Sequence, residues 1–82
     1  MPESEQSLTY GQKMVGLQFN HAEGETHDKV HRIKAAAAVL LDELREQQVA
    51  GGNEQQSRFY DQAIDDVVTA QMLGVKAATW KA

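Results

Sequence analysis

Cysteine is missing from all 82 residues, so the chain can hold no disulfide framework, no thiolate nucleophile and no cysteine metal site. Also lacking is any run near the roughly 20 apolar residues that a membrane span needs. The first twenty residues have no basic start followed by a long apolar stretch, so no secretory leader is expected and the pattern predicts a soluble, intracellular protein. Basic residues are in deficit: 8 Lys and Arg against 12 Asp and Glu give a net charge of −4. Broad nucleic-acid binding needs a basic face that neutralises phosphates, so DNA is not an expected partner. No serine or threonine stands with a histidine and a carboxylate at a catalytic spacing, and no glycine-rich phosphate loop occurs. The chain therefore does not read as an enzyme, and no cofactor is implied.

What is present points to helices. Residues 1–7, "MPESEQS", lack apolar periodicity and read as a disordered start, leaving 8–82 as one domain. From about His27 to Gln48 the apolar residues Val30, Ile33, Ala37, Leu40, Leu41 and Leu44 recur at three- and four-residue steps, the mark of an amphipathic helix. Thr26 is the expected cap of its start, with Asp28 in the first turn. "VAGGN" ends that helix: Gly51 and Gly52 reverse the chain, and Asn53 with Gln56 reads as a capping box for a second helix from about Glu54 to about Trp80. The expected core is Val30, Ile33, Leu40, Leu44, Phe59, Ile64, Val67 and Leu73, with Met14 and Met72 as further packing.

The fold class is thus mainly α, an antiparallel hairpin of two long helices preceded by a short N-terminal arm or strand. At about 1.5 Å per residue each helix spans roughly 30 to 40 Å. Two such helices cannot hide both apolar faces, and a domain this small buries only about 60% of its unfolded surface, so a symmetric homo-oligomer is expected. Ala70, Gly74 and Ala78, four residues apart, form a smooth strip suited to a close helix contact between subunits or to seating the arm.

Three constellations bear on chemistry. His27 and His31, at i and i+4, could chelate a metal, but no third ligand has a recognisable spacing, so two solvent-facing histidines are the simpler reading. Asp61, Asp65 and Asp66 read as a solvated helix face with Arg58 nearby. The third is split between "TYGQKMVGLQFN" at the start and "VKAATWKA" at the end, which concentrate aromatic, amide and lysine side chains. Aromatic faces stack on bases, lysine and arginine pair with phosphates, and amides bond base edges, so this is the toolkit of a nucleotide pocket. The alternative is that Tyr10, Phe19 and Trp80 only pack the arm onto the hairpin, which composition alone favours.

The stretches "LTYGQKMVGLQFN" and "TAQMLGVKAATWK" resemble a family of helical-hairpin phage proteins that inhibit CBASS and Thoeris immunity by sequestering nucleotide signals. The likeness runs from Leu8 to Lys81 and is nearest to the anti-Thoeris branch. That branch has a Pro-Ser-Gly turn where this chain has "HAEG", and tryptophan where it has Leu73. The resemblance implies a sponge acting in the host bacterial cytoplasm, which binds glycocyclic ADP-ribose, cyclic dinucleotides or cyclic trinucleotides without cleaving them. It also implies a dimer-based homo-oligomer, commonly a hexamer, with pockets between subunits. Within such a pocket the stacking residues would be Phe19 and Tyr10 and the polar recognition would come from Asn20 and Gln18. Arg32 would carry phosphate charge, with Lys13, Lys76 and Lys34 as further candidates. The rival expectation is an oligomeric scaffold that binds another protein through the hairpin.

Overall fold

A computed structural model describes residues 7–81. Three helices follow one another: α1 (Tyr10–Val15), α2 (Gly24–Ala50) and α3 (Glu54–Thr79). The expected disordered start lies, apart from Ser7, outside the described residues. Helices α2 and α3 form the antiparallel hairpin, α1 lies mainly on α2, and no strand occurs among the described residues. The whole measures 45 × 36 × 14 Å, a slab one helix layer thick apart from the small α1.

The hairpin boundaries follow from local chemistry. At the start of α3 the Asn53 side chain accepts from the Gln56 amide N–H at 2.8 Å, and Gln56 Oε1 accepts from the Asn53 N–H at 2.9 Å. That reciprocal pair satisfies two of the four donors a helix start leaves open. Gly51 and Gly52 adopt φ of 121° and 143°, which only glycine takes without strain. The N-terminus of α2 departs from expectation. It begins at Gly24 with Glu23 in the cap position and no side-chain cap bond, so Thr26 is already inside the helix.

The N-terminal segment also departs, because it is a helix where an arm or strand was expected. Thr9 caps α1 through a second capping box with Gln12, at 3.1 and 2.9 Å. Tertiary contact completes it. Gly11 lies directly on the backbone of Ala38, and its N–H donates to Asp42 Oδ1 at 2.6 Å. The alternation of Leu17 and Phe19 falls in the turn that follows α1, where Gly16 takes the left-handed conformation at φ 62°.

The core lies between α1 and the hairpin: Val15, Ala38, Leu41 and Ile64 are buried, with Tyr10, Leu17, Leu44 and Val67 packed around them. Val30 is buried nearer the open end of the hairpin. Ile33, Leu44 and Val67 are half-buried, whereas Leu40, Phe59 and Leu73, expected as core, are 48%, 66% and 60% exposed. Met14 and Met72 are exposed as well. These residues do lie on apolar helix faces, but this chain supplies no third layer to cover them. The small-residue strip also divides. Gly74 seats Ile33 of α2, whose Cγ2 lies 3.2 Å from where a Cβ would stand, while Ala70 is exposed.

Candidate functional site

A cleft opens at the end of the hairpin remote from the Gly51–Asn53 connection. It has a volume of about 610 Å³, and its walls are the 19–23 segment and the last turn of α3. Val30, Val75 and Ala78 form its apolar floor, and Phe19, Asn20, Lys34, Trp80 and Lys81 stand around it.

Each wall is set by identifiable bonds. The Gly16 N–H donates to Lys13 O at 3.1 Å and the Leu17 N–H to Gln12 O at 3.0 Å, which ends α1. The Phe19 N–H then donates to Gly16 O at 2.9 Å, folding the chain back. Lys34 Nζ donates to Gly16 O at 3.1 Å and to Phe19 O at 2.8 Å, so one ammonium group ties both ends of this turn to α2. Asn20 is a second strut: its Nδ2 donates to His27 O at 3.0 Å and its Oδ1 accepts from the Ala22 N–H at 3.2 Å. Opposite, the Trp80 N–H donates to Ala77 O at 3.3 Å as α3 ends, and Lys76 Nζ lies 5.8 Å from the indole ring centre.

Two aromatic rings therefore project into one cleft while still in contact with water. Phe19 is 64% and Trp80 67% exposed, which is costly for side chains of this size unless something covers them. Lys76 borders the indole and Lys81 lines the cleft next to it in sequence, and Glu23 and His21 also line the cleft.

Of the eight residues expected at a site, Phe19, Asn20 and Lys34 line this cleft and Lys76 borders it through Trp80. Tyr10, Lys13, Gln18 and Arg32 do not line it. Tyr10 is half-buried against the core with the Arg45 guanidinium 5.4 Å from its ring centre, so packing is the role that Tyr10 has here. Lys13, Gln18 and Arg32 are exposed elsewhere. The bonds of Asn20 and Lys34 run to backbone atoms of their own chain, which makes them builders of the wall. Trp80, Lys81 and His21 were absent from the expected set. The i, i+4 relation between Lys76 and Trp80 is the sequence signal that could have added the indole.

The His27 and His31 rings stack with centroids 6.4 Å apart, and His27 Nδ1 lies 3.6 Å from Asp28 Oδ1. Among the described residues no three His, Asp or Glu side chains converge on a metal position. Nor, among them, is any helix long and apolar enough to cross a membrane. No family model matches the chain, and no curated protein or solved structure matches it either.

Proposed function

We propose that this protein is a phage anti-defence sponge. It binds glycocyclic ADP-ribose or the cyclic di- or trinucleotides of CBASS in the host cytoplasm and holds them intact. The observation that carries the reading is the pair of exposed rings, Phe19 and Trp80, on one cleft with Lys76 and Lys81 beside them. Stacking on an aromatic face contributes about 1–3 kcal/mol per base. The cleft volume falls within the roughly 300–1,000 Å³ of small-molecule sites. Its walls are tied down by Lys34 and Asn20 before ligand arrives, which lowers the ordering cost of binding. Copies of the chain associate, and an adjacent copy contributes further groups such as Arg32 and Gln18. Sequestration works by stoichiometry and slow release, so it calls for no catalytic group.

A second reading, an oligomeric scaffold for another protein, draws on the exposed Leu40, Phe59 and Leu73. Isothermal titration with glycocyclic ADP-ribose, cyclic dinucleotides and cyclic trinucleotides separates the two. The sponge reading requires tight binding of one ligand class, recovery of that ligand unchanged after heating, and at least about tenfold weaker binding by Phe19→Ala and Trp80→Ala. A folded protein that binds none of the panel leaves the scaffold reading.

A further inference from the structure

We infer that the start of α2 is a divalent transition-metal site, in which His27 and His31 chelate Zn²⁺ or a cation of similar chemistry and so brace one wall of the cleft. Nothing in this depends on the ligand of the cleft or on a second copy of the chain.

Residues at i and i+4 stand one above the other on a helix face, separated by about 6 Å of rise. The two imidazole rings follow that spacing: their centroids are 6.4 Å apart and their planes differ by 5°. They leave the helix side by side and parallel. Zinc–nitrogen bonds of about 2.0–2.1 Å put two ligating nitrogens on the order of 3 Å apart, so the rings must tilt towards each other. Side-chain torsion alone supplies that movement, and both residues are exposed enough to make it freely.

The surroundings suit a cation. Asp28 Oδ1 lies 3.6 Å from His27 Nδ1, where it can hold the Nδ1 proton and leave Nε2 for the metal, as the outer carboxylates of ligating histidines do. At about 100° per residue, Lys29 and Arg32 stand more than a quarter turn around α2 from both histidines. Lys34, one turn beyond His31, commits its ammonium group to Gly16 O and Phe19 O. Imidazole nitrogen selects zinc, nickel or copper over magnesium and calcium, which require oxygen ligands. Two protein ligands, with water in the remaining positions, make an exchangeable site and not a closed structural one.

The location gives the site its consequence. Helix α2 starts without a side-chain cap, and its first bond, from the His27 N–H to Glu23 O, is 3.3 Å long. A chelate from His27 to His31 clamps the turn that follows. His27 O is also the acceptor for Asn20 Nδ2 at 3.0 Å, so the clamped turn carries the strut of the 19–23 segment. A cation that binds this folded turn stabilises it in proportion to its occupancy.

Zinc titration of the tag-free, ligand-free chain, followed by NMR of the histidine rings and by circular dichroism, tests this. The ring resonances of His27 and His31 are expected to shift together and to saturate at one Zn²⁺ per chain in the micromolar range. At ten times the Kd, Tm should rise by roughly 5–10 °C, and Mg²⁺ at the same concentration should change neither signal. Amide exchange across residues 27–31 should slow. His27→Gln and His31→Gln, both at exposed positions, should keep full helicity, weaken zinc binding at least about tenfold and abolish the Tm rise. Saturation only at millimolar zinc, one metal per two chains, unchanged exchange across 27–31, or single substitutions that leave affinity within about threefold overturns the proposal. Because no nucleotide is present, its failure is distinguishable from failure of the sponge reading.

Discussion

Gly11→Ala sets local propensity against tertiary fit. Alanine is a better helix former than glycine by about 1 kcal/mol, so α1 considered alone predicts a gain in stability. The structure predicts a loss, because a Cβ on Gly11 would lie 2.8 and 2.9 Å from the carbonyl carbon and Cα of Ala38, backbone atoms of a long helix. Helix α1 must lift to make room. Lifting breaks the Gly11 N–H bond to the Asp42 carboxylate, a charged-acceptor bond of roughly 1.5–3 kcal/mol. It also uncovers Val15, whose burial is worth about 1.5–3 kcal/mol. Set against the propensity gain, the net loss is at least about 2 kcal/mol, which for a domain of this size lowers Tm by on the order of 10 °C. Thermal unfolding followed by circular dichroism at one fixed protein concentration measures it. An unchanged or higher Tm would refute the docking of α1 on Ala38.

Lys34→Met keeps the aliphatic stem but removes both bonds to the 16–19 turn. Amide exchange at Gly16 to Phe19 should rise, and affinity for the titrated nucleotide should fall although Lys34 bonds only backbone oxygens. Asn53→Ala removes half of the α3 capping box and should cost about 1 kcal/mol, a Tm drop of roughly 4–8 °C; an unchanged Tm would mean that the cap is dispensable. Gln71 is 7% exposed with its Oε1 unpartnered. Gln71→Met should therefore raise stability by about 1 kcal/mol, since burying an unpaired oxygen is costly, and a lower Tm would show that the oxygen is bonded in solution.

Signals that act within one turn were legible in the sequence. Gly51, Gly52, Asn53 and Gln56 placed the connection and the start of α3 because caps and reversals depend on near neighbours. The Thr9-x-x-Gln12 box is equally local and would have revealed α1, yet six residues are too few to show helical periodicity. What holds α1 in place, the contact of Gly11 with Ala38 and Asp42, joins positions some thirty residues apart and leaves no local trace. Periodicity marked Leu40, Phe59 and Leu73 as apolar face, but it cannot say whether the covering layer comes from the same chain. At the cleft, Phe19 and Asn20 were named through the resemblance together with their residue types, and both line it. The wall-building role of Lys34 was not, because its partners are main-chain oxygens that carry no sequence signature.

The two ends of the hairpin differ in how they are fastened. At the connection Gln48 Nε2 donates to Asp61 Oδ1 at 2.7 Å and to Ser57 O at 3.2 Å, so a clasp of side chains reinforces the capped turn. At the far end α2 starts without a side-chain cap and α3 runs out into extended backbone at Trp80. The molecule is built like a pair of tongs, riveted at one end and sprung at the other. Local opening is cheapest where the last helical turns are least held, and that is where the cleft lies. A molecule bound there would add contacts to those last turns, so occupancy of the cleft would be felt as slower fraying of both long helices.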